Sequence, residues 1–273
     1  MSTAVKRHKV DVGYCTWQLD DHRKALVEDV ADACADPNNL SILASNAMAL
    51  ASYASVADPC AVDINSSLRI AGQALAAHFK VAVHSSLPVE CELAGKNTRF
   101  EGVVDESKVE ATKWLNAYWL SLIFADTVAI EQLCQVPMSM LRNSTTKHPE
   151  HRYLLIESLI SFWHEYDETG SLLLQAMRAT DPEQGDVKKS WVLHIDVPLI
   201  HAVTHAVSED GRFSNTLKEG VKKHKKYWSA TTSRKDDWEG FLSIGLSGAA
   251  KLAFESGLNV GIVSDYLIND KSS

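Results

Sequence analysis

Histidines four residues apart on a helix project from one face, and His201-Ala-Val-Thr-His205 has that spacing. With His194 and Asp196 one or two turns upstream, three imidazoles and a carboxylate could in principle hold zinc, which would make the chain a helical metal-dependent hydrolase. Against this, the pattern lacks the general-base glutamate of H-E-x-x-H, Pro198 breaks the run between its halves, and 11 histidines make chance pairs common. Core or interface histidines are the better reading, and no metal or other cofactor is expected. In His164-Glu165-Tyr166-Asp167-Glu168 a glutamate stands where a second zinc ligand is needed, so the segment reads as an acidic helix end. Ser247 lies between Leu246 and Gly248 without the full G-x-S-x-G. Its surroundings read as helix where a nucleophile elbow needs a strand. Neither a G-x-x-x-x-G-K-[ST] nor a G-x-G-x-x-G motif is present to cradle a nucleotide.

The basic run Lys222-Lys223-His224-Lys225-Lys226, followed by Tyr227 and Trp228, combines charge and aromatics as single-stranded nucleic-acid binders do. Helical spacing spreads those lysines around the cylinder, which favours a solvated face near a helix carboxyl end. The formal net charge of −8 also opposes a protein that coats DNA or RNA, and suits a basic partner better. Trp114, Trp119, Trp163, Trp191, Trp228 and Trp238 are expected to fill core.

The elements that would position these residues are mostly helices. Apolar residues recur at three- and four-residue spacing over 19–35, 40–56 and 62–79, separated by Asp36-Pro37 and Asp58-Pro59. Residues 80–100 alternate and carry Pro88 and Gly95, which predicts a small β-hairpin, or a three-stranded insert, near 80–104. Ser107 and Glu110 have capping-box spacing ahead of a helix at 109–125. Further helices are read at 149–166, 172–179, 188–207, 213–228, 238–256 and 260–268, with Gly170, Gly185, Gly211 and Gly257 at their ends. The expected fold is mostly α: stacked antiparallel helices in one domain over 1–273, loosely 1–104 with the β insert and 105–273 as helical body.

The five cysteines, Cys15, Cys34, Cys60, Cys91 and Cys134, are odd in number and scattered, which suits reduced thiols. The polar start, Met1 to Lys9, precedes no apolar stretch long enough for a signal peptide or a membrane span, so a cytoplasmic protein with no membrane partner is expected.

Several separated blocks, in order, resemble the immunity protein 49 family of bacterial polymorphic-toxin systems. They are Trp114–Asp126, Leu133–Ser144, Leu173–Glu183, Phe213–Trp228 and Ser256–Leu267, together with the Asp58-Pro59 junction. An arginine associated with the end of the first block is replaced around Phe124-Ala125-Asp126, and the first hundred residues match only loosely. The resemblance implies a helical protein without catalytic residues that neutralises one co-encoded toxin, often a nuclease or deaminase, by covering it. Its rivals are the hydrolase reading above and a helical scaffold with no toxin partner. Because an acidic surface speeds encounter with a basic one, the expected contact residues are Glu165, Asp167 and Glu168 before the helix at 172–179, and Asp181, Glu183 and Asp186 after it.

Overall fold

The computed structural model describes residues 3–60, 62–84, 87–101, 103–181 and 189–268. Along the chain run β1 (Thr3–Val5), α1 (Val12–Ala35), α2 (Leu40–Ala57), α3 (Asp63–Val83), β2 (Val89–Leu93), β3 (Lys96–Phe100), α4 (Ala111–Ile123), α5 (Thr127–Cys134) and α6 (Met138–Asn143). There follow α7 (Glu150–Trp163), α8 (Thr169–Arg178), α9 (Lys189–Trp191), α10 (Val197–Val207), α11 (Phe213–Trp228), α12 (Thr232–Lys235), α13 (Ile244–Glu255) and β4 (Ile262–Ser264). The mostly α fold is as the periodicity predicts. The elements gather into two compact units, one from Asp11–Lys147 and the other from Met1–Val10 with His148–Asn269.

In the first unit, α1 packs on α2, α2 on α3 and α3 on α4. Helix α2 is central because its buried positions are small: Ala44, Ala47, Ala51 and Ala54 admit both neighbours closely. The stretch Pro37–Ala57 is long and apolar enough to cross a membrane, yet 67 % of its apolar window is buried, as in a core helix. Gly72 brings α3 against α4, where a β-carbon would lie 3.2 Å from Leu120 Cβ. Trp114, Tyr118 and Trp119 are buried on α4, and the Trp114 indole N–H donates to Leu133 O at 2.9 Å.

The predicted hairpin forms, with Val89 paired to Phe100 and Leu93 to Lys96. Ala94 (φ 50°) and Gly95 (φ 76°) both take the left-handed conformation that a tight two-residue hairpin turn requires. Gln73 on α3 fixes the turn by accepting from Ala94 N at 3.0 Å.

In the second unit, α7 packs on α8, and α10 packs on α8, α11 and α13. Strand β1 pairs in parallel with β4, Val5 opposite Ser264. The Tyr266 hydroxyl accepts from His8 N at 2.9 Å and shares a second bond with His8 Nδ1 at 2.8 Å.

Several boundaries differ from the periodic reading. Helix α1 begins at Val12, seven residues before Leu19, because the Asp11 carboxylate caps Tyr14 N at 3.0 Å. Helix α4 begins at Ala111 with Glu110 as N-cap, and the Ser107 hydroxyl donates to Asp105 at 2.6 Å, so the capping box does not form. Helices α5 and α6 fill a segment read without elements; Asp126 caps α5 through Ala129 N at 2.9 Å. The run at 188–207 is helical from Lys189 to Val207 but widens once: Pro198 lacks the N–H that an α-helix would aim at His194 O, and the chain takes a π-turn over Val192–Asp196. The helix read from 238 starts at Ile244, since Gly240 lies against the Trp228 ring and Ser243 N donates to Tyr266 O at 2.8 Å. The helix read at 260–268 is instead β4, held by β1 and by Ser264 Oγ donating to Val5 O at 2.8 Å.

Candidate binding surfaces

Of the residues considered for chemistry, Asp196, His194 and Ser247 are engaged in structural bonds. Asp196, 8 % exposed, accepts from His151 Nε2 at 2.9 Å, Trp191 Nε1 at 3.0 Å and Arg152 at 3.3 Å, making a buried polar knot at the π-turn. Burial alone would raise its pKa, but the His151 hydrogen bond, the Arg152 and His151 charges and the Trp191 N–H outweigh that and hold it below the usual carboxylate range. His194 turns back to Ser190 O at 2.8 Å. His201 and His205 do lie together in one cleft, with His205 Nδ1 bonded to Thr216 Oγ1 at 2.8 Å. Among the described residues, no three His, Cys, Asp or Glu side chains are grouped to hold a metal ion.

Ser247 is buried, donates to Ser243 O at 2.7 Å and accepts from Ile268 N at 3.0 Å, the bonding of a packing serine. In the basic run, Tyr227 and Trp228 are buried and His224 bonds Gly240 O at 3.1 Å, so the aromatics offer no stacking platform. Lys222 pairs with Glu219 at 2.7 Å and Lys225 donates to Lys6 O at 2.9 Å.

The predicted acidic contact residues that are described lie on the surface of the second unit. Helix α7 ends with Glu165 in the left-handed conformation (φ 57°), Glu165 N donating to Phe162 O and Tyr166 N to Ser161 O at 2.9 Å. That reversal places Glu165, Tyr166, Asp167 and Glu168 in solvent, and Tyr166 is 57 % exposed. Thr169, buried behind them, bonds Ser161 Oγ at 2.8 Å and pins the corner. Asp181 is exposed beyond α8, with its N–H on Arg178 O at 3.2 Å. Glu183 and Asp186 lie outside the described residues.

A second surface escaped the sequence reading. On α1, Trp17 (62 % exposed), Val27 (76 %) and Tyr14 (39 %) stand in solvent. Asp21, Glu28 and Asp32 follow Trp17 at spacings of 4, 11 and 15 residues, which puts them on its face of the helix, with Lys24 between. From Trp17 to Asp32 this face runs about 22 Å at the helical rise of ~1.5 Å per residue. Asp20 is drawn aside to Arg23 at 3.4 Å, and Arg23 in turn to Asp63. The signal that marks this helix is the Asp11 cap ahead of apolar Val12, Cys15 and Leu19.

No curated protein and no solved structure gives a significant match to the chain. The immunity protein 49 family model matches residues 58–267, from the α2–α3 junction past β4 and across the blocks from Trp114 to Leu267. The chain therefore belongs to the immunity protein 49 family, and as an immunity protein it is a binder of a cognate toxin.

Proposed function

We propose that this immunity protein works in the cytoplasm and neutralises a toxin that acts on nucleic acid, a nuclease or deaminase, by covering its basic substrate surface. One observation carries the reading: Trp17 and Tyr166, both more than half exposed, are bracketed by carboxylates, Asp21 and Glu28 for one, Glu165, Asp167 and Glu168 for the other. Large aromatics desolvated at the centre of an interface supply most of its affinity, while surrounding charge speeds encounter and selects the partner. An enzyme groove that holds phosphates presents the complementary sign. Two contact surfaces are proposed, each on its own unit: the α7–α8 corner with Asp181, Glu183 and Asp186, and the Trp17 face of α1. The chain acts on its toxin by occlusion and contributes no chemistry of its own.

Co-production tests the reading: cells should survive the cognate toxin and die from unrelated ones, and equal protection against all would refute direct binding. In purified components, Asp167→Lys with Glu168→Lys should slow toxin association at low salt about tenfold and flatten its salt dependence, with thermal stability unchanged. Asp181→Lys with Glu183→Lys and Asp186→Lys should act likewise. An unaltered association rate in both variants would remove this corner from the interface.

A further inference from the structure

Helices α10 and α11 bound an open cleft of about 320 Å³. Pro198, His201 and His205 line it from α10, Arg212 from the N-cap of α11, and Asn215, Thr216, Glu219, Gly220 and Lys223 from α11 itself. The spacing explains the convergence: 198, 201 and 205 share one helix face, as do 212, 216, 219 and 223. Gly220 gives α11 its close approach to α13, where a β-carbon would lie 3.2 Å from Leu246 Cδ2.

The carboxylates near this cleft are already engaged. Arg212 is bound by Asp210 through its Nε at 2.9 Å and its Nη2, while Glu219 holds Lys222 at 2.7 Å. His201, Asn215 and Lys223, in contrast, have no hydrogen-bond partner or salt bridge among the described residues. With Thr216 Oγ1 donating to His205 Nδ1, the ring carries its hydrogen on Nε2, which is left as a donor. Partial burial first, and then the neighbouring His205 and Lys223, hold the His201 pKa below the ordinary imidazole value. Glu219 shares its charge among Lys222, Lys218 and Lys223. On a chain of net charge −8, such a concentration of unspent donors stands out.

We propose that the α10–α11 cleft is a binding site for a small tetrahedral oxyanion, a phosphate or phosphomonoester, held by His201, His205 Nε2, Asn215 and Lys223. A tetrahedral anion offers several acceptors to donors converging from two helices, and charge-assisted bonds of this kind are the strong ones. Lys223 would repel a divalent cation from the same place, which favours the anion over a metal on the His201–His205 pair.

The test uses the full-length protein and nuclear magnetic resonance of the histidine side chains, titrated with sodium sulfate, inorganic phosphate and a nucleoside monophosphate at constant ionic strength. The His201 and His205 ring signals should move saturably at millimolar or lower anion, while those of His224 and His78, buried elsewhere, should not. Lys223→Ala should weaken binding about tenfold, as expected for one charge-assisted contact, and His201→Ala with Lys223→Ala should abolish it with the circular dichroism spectrum unchanged. Tighter binding of the monophosphate than of phosphate would identify an ester as the ligand; equal binding would identify the free ion. The proposal is overturned if the rings do not respond, if the response survives in the double variant, or if stoichiometric zinc binds while sulfate does not.

Discussion

Removing the Asp196 carboxylate should destabilise the His148–Asn269 segment more than any loss at the surface could. In Asp196→Ala, the Trp191 indole N–H loses its acceptor at 3.0 Å, His151 loses its partner at 2.9 Å, and Arg152 is left facing a half-buried gap without its carboxylate at 3.3 Å. Breaking a buried ion pair by deleting one partner costs about 3–5 kcal/mol. Arg152 retains some solvent and its approach to His148 Nδ1 at 3.3 Å, which places the expected loss near the lower end, about 3 kcal/mol. Thermal unfolding should then fall by roughly 10 °C for a unit of this size. Asp196→Asn keeps an acceptor for Trp191 but loses the charge and the second acceptor oxygen that serves His151, for about 2 kcal/mol. Because the folded carboxyl is held below its ordinary pKa, its contribution is present above pH 4 and disappears as pH falls through the folded value. The gap between the native protein and Asp196→Asn should therefore close in acid. Chemical denaturation followed by tryptophan fluorescence from pH 7 to 3 measures both quantities. An Asp196→Ala variant within about 1 kcal/mol of the native protein would refute the account, since a carboxylate kept for catalysis commonly leaves stability intact or improved when lost.

Trp17→Ala should weaken toxin binding about thirtyfold, the effect of losing a hot-spot anchor worth about 2 kcal/mol, with the melting temperature unmoved; wild-type affinity would exclude the α1 face. Gly240→Ala would place a β-carbon 2.6 Å from Trp228 Cδ2, so it should cost about 1–3 kcal/mol and shift the tryptophan fluorescence; an unperturbed spectrum and midpoint would show that the ring can yield. His224 and His78, one in each unit, are buried and their pKa values are lowered mainly by burial to about 4. The unfolded chain takes these protons near pH 6.5 and the native protein resists until about pH 4. Stability should hold above pH 6.5 and decline steadily below it, and a flat denaturation midpoint between pH 7 and 5 would contradict this.

The sequence by itself determined which residues share a helix face, because the 3.6-residue period is local. The spans of α2, α3, α4, α7, α8 and α11 and the alternating hairpin were legible within a few residues, as was the order of blocks that marks the family. Helix ends were less legible for a physical reason. α4, α7 and α10 all stop at a left-handed residue that is not glycine, Ala125, Glu165 and Glu209, so no glycine announces the turn, whereas Gly257 announces the end of α13. Tertiary structure alone decided the rest. Ile262–Ser264 is a strand because a partner 259 residues away, at Val5, offers its edge; in isolation its apolar spacing reads equally as helix. Asp196 looked like a possible metal ligand until α7 supplied His151 and Arg152 to bind it. The acidic corner was readable as acidic, but only the packing of Thr169 against Ser161 turns its carboxylates and Tyr166 outward together. Exposure is likewise not a local property: Trp114 and Trp17 have the same side chain, and what separates buried core from open binding surface is whether another helix happens to lie over it.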